Sequence, residues 1–325
     1  MTSKLLGWVA RIAPWAIVAG LGYAAAFVQP TVEPLPLPQP LVEPRDHFLD
    51  VAGDGHGALW FAGNAGTVLH RDADGLWARR AFEQPVNLQG IAEGQGRVVA
   101  VGNQGWVFSD AGQGWSAQQL PVSDYAGKLI AVSYLNGTFW ITGEMGTIFR
   151  GDGDGAGDWQ ALSLDTDVAL NDITRADDGG LWIAAEFGNL FRSSDQGRSW
   201  QRQELQGESL QAIAFHGPTG VAVGNQGRVY LSEDTGVSWR AVDSGTHEHL
   251  YDVAHDGQHW LAVGAGGVLL TSEQGRHWSP LTARGFSNGY HTRALPTANG
   301  LVVTGEDLGR VHQGQWTAWP AEEKE

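Results

Sequence analysis

A short motif, Leu-x-small-Val/Ile-small, recurs along most of this chain, and its period sets the folding problem. It reads Phe48-Leu49-Asp50-Val51-Ala52, then restarts at Leu88, Leu129, Leu170, Leu210, Leu250 and, weakly, at His291. Successive starts lie 40 or 41 residues apart. A second marker follows each one, a Gly-x-x-Gly turn after an apolar run: Gly63 to Gly66, Gly102 to Gly105, Gly143 to Gly146, Ala185 to Gly188, Gly224 to Gly227, Gly264 to Gly267, and an expanded Gly305 to Gly309. Glycine suits such places because tight hairpins need positive φ.

A third marker closes each repeat, Ser-x-Asp-x-Gly-x-Ser/Thr-Trp, the Asp-box. It is complete at Ser193, Asp195, Gly197, Ser199 and Trp200, and again at Ser232, Asp234, Gly236, Ser238 and Trp239. A near copy runs through Thr271, Glu273, Gly275, His277 and Trp278, and Asp110, Gly112 and Trp115 keep the frame. The motif is shortened at Asp74-Gly75-Leu76-Trp77, expanded around Asp158-Trp159 and reduced to Gly314-Gln315-Trp316 at the end. The Asp should accept bonds from turn amides, the Gly take a left-handed conformation and the Trp cover the hairpin, which makes the motif a structural staple. Each repeat holds about four strands, and four-stranded units of this period match propeller blades. The expected fold is all-β, a seven-bladed β-propeller over residues 46–320, with a short tail at 321–325.

Residues 1–45 read differently. Lys4 and Arg11 precede an uncharged run from Ile12 to Gln29. With Leu5 to Ala10 it approaches the ~20 residues that cross a bilayer. Residues 1–11 are expected in the cytoplasm with the start of the apolar segment, and 12–28 as a transmembrane signal anchor, because positive flanks stay inside. Ala24-Ala25-Ala26 also fits a signal-peptide cleavage site, although the apolar run exceeds the usual ~7–15 residue core of such peptides. Residues 29–45 carry Pro30, Pro34, Pro36, Pro38, Pro40 and Pro44 and read as an extended spacer. The body is thereby expected in the periplasm on a single inner-membrane pass.

The formal charge of −16 removes nucleic acid as a partner, since phosphate binding needs a basic face. With no Cys there are no disulfides, thiolate metal sites or lipidated-cysteine anchors. No cofactor is expected. An Asp-box glycosidase or carbohydrate-binding propeller is the first alternative. Yet the arginine triad and the Arg-Ile-Pro motif of sialidases are missing, and Arg11-Ile12-Ala13-Pro14 lies in the apolar segment. Facing carboxylates alone decide nothing among 36 acids. A small-molecule or metal-binding propeller is the second alternative, with His47, His247, His249 and His291 as its imidazoles.

Together the three markers, with Ala222-Val223-Gly224-Asn225-Gln226-Gly227 as the best copy of the second, resemble the photosystem II stability/assembly factor family of propellers across the whole body. The resemblance implies a non-catalytic scaffold that holds an integral membrane protein complex during assembly. It also implies bacterial relatives beside envelope complexes such as resistance–nodulation–division (RND) type exporters. Lacking Cys and acidic where photosynthetic members carry a basic patch, this chain fits that envelope branch.

Loops are where a partner would bind. Expected contacts are the turn residues Asn64, Asn103, Glu144, Glu186, Asn225 and Glu306, with Trp106, Met145 and Phe187 beside them. Tyr125 and residues 247–249 add linker positions. The segment 285–290, with Phe286, Asn288 and Tyr290, is the strongest loop candidate, being aromatic and free of repeat consensus. One internal contact is also predicted. The third residue of the inner strand is Gly, Ala or Asp except for Arg293, which near the axis should pair with Asp252, Asp50 or both.

Overall fold

The computed structural model describes residues 8, 13–23, 40–123, 125–152 and 158–320, in two compact units divided after Pro40. In the first unit, residues 13–23 are helical. Among the described residues no helix is long and apolar enough to cross a membrane. The rest of the expected 12–28 span, the Ala24–Ala26 site, most of the spacer and the 321–325 tail lie outside the described residues.

The second unit is an all-β propeller of four-stranded blades. Among the described residues, its strands form five antiparallel sheets of four strands and one of eight. The eight-stranded sheet contains the first and last repeats, residues 48–81 and 291–318, bridged where Phe48 pairs with Gly305. The inner strands begin at Phe48, Leu88, Leu129, Leu170, Leu210, Leu250 and His291. They neighbour one another in chain order, and the last lies against the first, closing the ring.

Period-2 alternation explains why the repeats stack. In the second strand of repeat two, Val99 and Val101 face repeat three, where they join Leu129, Phe139 and Ile141. Val98 and Ala100 point the other way, to Leu88, Phe108 and repeat one's Ala62 and Val68. Successive strand residues face opposite sides of a sheet, so each sheet is apolar on both faces. The same holds around the ring, one cluster straddling each pair of neighbouring repeats. Each buried Val, Leu, Ile or Phe contributes ~1.5–3 kcal/mol, and a repeat alone could bury neither face.

Every inner strand also carries a register shift between its first and third residues, as between Phe48 and Asp50 or His291 and Arg293. Such a bulge adds twist and re-aims a side chain. It leaves the third residue of each inner strand at the inner edge of the sheets.

Candidate functional site

Arg293 occupies that inner edge and gathers carboxylates from three other repeats. Its Nε lies 3.1 Å from Asp50 Oδ1, and its Nη1 3.3 Å from Asp252 and 3.8 Å from Asp172. The pairing with Asp50 and Asp252 matches the sequence expectation. Asp172 was overlooked, although it stands in the same third position of repeat four. Each carboxylate also accepts a backbone N–H from the next repeat: Asp50 from Ile91 at 2.8 Å, Asp172 from Ile213 at 3.0 Å, Asp252 from Ala294 at 2.8 Å. The three acids therefore stitch neighbouring inner strands while converging on one guanidinium. Burial pushes the Asp50 carboxyl up to about 6, although Arg293 and the amide bonds pull the other way. Asp172 and Asp252 are raised for the same reason, and the surrounding carboxylates, Asp252 foremost, hold Arg293 above its ordinary range.

This geometry is a filled plug. A carboxylate-recognition site needs arginines whose donors face solvent, whereas Nε and Nη1 of Arg293 face acids of its own chain. Among the described residues no group of three or more His, Cys, Asp or Glu could hold a metal ion. His291 is fully buried beneath Phe286, and His249 Nδ1 accepts the Gln226 amide at 3.4 Å.

On the hairpin face the structure separates two columns that the sequence left together. The first residue of each turn is an inward clamp. Its amide donates to the carbonyl just before the inner strand: Asn64 to His47, Asn103 to Asn87, Glu144 to Lys128, Glu186 to Ala169, Asn225 to Ser209 and Glu306 to Tyr290. Its side chain often completes the clamp. Asn64 accepts from the His47 amide at 3.1 Å, Glu144 from Lys128 at 3.0 Å, and Glu186 from Ala169 at 2.8 Å. Asn103 and Asn225 accept from Gln89 and Gln211. All but Glu306 are half-buried.

The second residue is the displayed one, and it sits on left-handed backbone. Here stand Ala65, Gln104, Met145, Phe187, Gln226 and Gly266, with φ between 49° and 63°. Two successive positive-φ residues, as at Phe187 and Gly188, form the hairpin turn whose twist matches the strands. Met145 is 50% exposed and Phe187 66%. Trp106 is half-buried against Phe108 and the core between repeats one and two. Tyr125, in the linker between repeats two and three, is 98% exposed.

The 285–290 loop is more structural than its sequence suggests. Phe286 turns inward onto His291 and Trp316, at centroid distances of 4.3 and 5.1 Å. The Gly289 carbonyl accepts the Gly267 amide at 2.8 Å, as the Gly127 carbonyl accepts the Gly105 amide in the linker between repeats two and three. Tyr290 is half-buried with its hydroxyl raised by burial, while Asn288 and Glu306 remain exposed.

The Ser-x-Asp-x-Gly-x-Ser-Trp turns behave as staples. Asp195 accepts from the Ser199 amide at 2.9 Å and from the Ser199 and Ser193 hydroxyls, while Ser193 Oγ accepts the Gly197 amide. These bonds, led by the Ser199 hydroxyl, hold Asp195 down at about 2. Ser232, Asp234 and Ser238 repeat the pattern. Gly236, at φ 83°, abuts Trp182 of the preceding repeat, so its missing side chain serves both turn and packing. Trp239 meets Trp182 edge to face, and Trp200 packs on the core between repeats three and four.

Two frames shift from the sequence reading. Asp110 pairs with Val98 as Ser193 pairs with Leu181, so it takes the lead-serine place and accepts the Gly112 and Gly114 amides, with Trp115 edge-on to Phe82. In repeat six Ser272, not Thr271, pairs with Trp260 at the lead register. Glu273 accepts none of the turn bonds, while Gly275 lies against Leu231 and accepts from Trp278 Nε1 at 3.1 Å. The turn is one residue shorter, and the carboxylate points to solvent.

The fold and its inner-edge plug define the class, a β-propeller. No protein-family model and no curated protein matches the sequence. Among solved structures, the chain is similar to YCF48 bound to D1 peptide, with a TM-score of 0.64 and 18% identity over 80% of this chain and 90% of that one. It is similar to YCF48 from Cyanidioschyzon merolae at TM-score 0.65 and 17% identity, covering 85% and 97%. It is also similar to the WD40 β-propeller domain of Doa1 at TM-score 0.65 and 12% identity, covering 81% and 90%.

Proposed function

We propose that this chain is a seven-bladed, non-catalytic scaffold that binds an integral membrane protein complex outside the cytoplasm, tethered by its N-terminal apolar segment. The eight-stranded sheet is then two blades, one at each end of the chain. The observation that carries the reading is the tip column. Phe187 and Met145 hold left-handed backbone and display large apolar side chains on successive blades, where Gly266 stands in blade six. A non-glycine residue on such backbone costs of the order of 1 kcal/mol, and exposed aromatic and Met side chains are frequent anchors at interfaces. Tyr125 adds a third apolar group on the linker side of the same face. The likeness to a propeller solved with a D1 peptide supports protein recognition by this fold. The arginine at the inner edge already faces three carboxylates of its own chain, which argues against a substrate-carboxylate site there. An envelope complex such as an RND-type exporter is the proposed partner class.

The test is affinity capture of the full-length chain from mildly solubilised native membranes, beside a variant carrying Tyr125→Ser, Met145→Gly and Phe187→Gly. Stoichiometric recovery of a large membrane protein by the parent, lost in the variant, is expected. Recovery of none, or equal recovery by both, would overturn the proposal.

A further inference from the structure

Two arginines on the opposite face have no acidic partner. Arg71 and Arg310 line a cavity of about 310 Å³ at the seam of the first and last repeats. His56, Leu295, Pro296, Asn299 and Trp319 line it too, and no Asp or Glu is among its residues. Both guanidinium groups lie over the Trp319 ring, at 5.4 and 5.6 Å from its centroid. Neither makes an ion pair among the described residues, and Arg310 Nε is buried without a hydrogen-bond partner there. In a chain with 36 acids and 20 lysines and arginines this is a local reversal of charge.

The other repeats show what each position ordinarily holds. Arg310 pairs with Val302 at the register that carries His70, Ser109, Arg150, Arg192, Leu231 and Thr271 elsewhere. Arg192, at that register, has Asp178 2.8 Å away, a carboxylate that Arg310 lacks. Arg71 pairs with Leu59 at the lead-serine register of Ser193, Ser232 and Ser272. A staple residue has given way to a cation. Half-burying a guanidinium without a counter-charge is costly. Arginine's planar fork suits carboxylates, and the flanking Trp shields the pair from water.

We infer that the Arg71–Trp319–Arg310 pocket binds the carboxylates of an acidic peptide segment. Two sources share that chemistry, another chain and this chain's own residues 321–325, Ala-Glu-Glu-Lys-Glu. The site is distinct from the tip column of the proposed membrane-complex interface and does not depend on it.

Calorimetric titration with acetyl-Ala-Glu-Glu-Lys-Glu tests this on the full chain and on the same chain ending at Pro320. The shortened chain should bind the peptide, and a version with glutamine for each glutamate should bind at least tenfold more weakly. Arg310→Leu and Arg71→Ser restore residues that sister repeats carry, so both should fold, and each should lower affinity at least tenfold. Binding at least tenfold weaker in the full chain identifies residues 321–325 as the occupant; equal binding assigns the pocket to another chain. Absence of binding by the shortened chain, indifference to glutamine, or affinity kept within threefold in both variants overturns the inference. The glutamine comparison needs only the parent sequence and decides even where a variant is unstable.

Discussion

Replacing Arg293 by methionine removes the one cation that three buried carboxylates share. At separations of 3.1, 3.3 and 3.8 Å, and an effective dielectric of ~20, each contact is worth roughly 4–5 kcal/mol of gross Coulomb attraction. Desolvating the guanidinium offsets several kcal/mol of that. The expected net loss for Arg293→Met is therefore about 3–5 kcal/mol at pH 8, where the acids must stay charged or take up protons. The loss should shrink at pH 5, because carboxyls already raised by burial rise further without the arginine and fold in their neutral form. Tryptophan fluorescence in a urea series at the two pH values measures it. A variant within about 0.5 kcal/mol of the parent at pH 8, or an equal loss at both pH values, would refute the reasoning.

Asp50 makes a converse prediction. Its folded carboxyl lies near 6 against an ordinary 3.8. Its favourable contribution is therefore complete below about 3.8 and is lost as pH rises through 6, a difference of about 3 kcal/mol. Asp50→Asn should flatten the stability profile between pH 4 and 7, and an unchanged slope in denaturant midpoints would count against it. Gly236→Ala should lower stability by about 2–4 kcal/mol, since its methyl meets the Trp182 ring on backbone at φ 83°; a thermal midpoint within 1 °C of the parent contradicts this. Phe187→Gly should leave stability equal or raise it by about 1 kcal/mol through relief of the left-handed backbone, while weakening membrane-complex capture. A destabilised variant would mean that the ring packs rather than displays.

The blade architecture was legible because two independent periodicities agree. A run such as Val98-Val99-Ala100-Val101 alternates toward two neighbours, and its recurrence every 40 or 41 residues says that the neighbours are copies of itself. The Arg293 pairing was legible for a related reason: a cation in a column otherwise small or acidic can face only that column. Turns were less legible. Sequence alone cannot say which of two interior turn residues points outward, so the polar first column was read as the display surface when its amides and side chains clamp the inner strands. Turn length misled similarly at Asp110 and Thr271, where spacing from the Trp was counted without knowing that the hairpin had shortened. Phe286 looked like a free aromatic because its loop lacks consensus, yet the His291 and Trp316 rings behind it supply its packing.

In a repeat protein the sister repeats are an internal control on every residue, and departures that cost stability carry the most information. Arg310 without the carboxylate that its counterpart Arg192 has, Arg71 in a serine column and Phe187 as the bulkiest side chain in its left-handed column each carry a local cost. Each such cost calls for a compensating contact. Arg293 shows such a contact complete inside the chain, its cost offset by three carboxylates and their bonds to the next inner strand. For Arg71 and Arg310 the compensating charge must come from outside the lining residues, and for Phe187 the compensating apolar surface must come from outside the propeller. The same physical accounting that closes at the axis stays open at these two places, on opposite faces and with opposite chemistry. The two proposals thus call for different occupants, one anionic and one apolar.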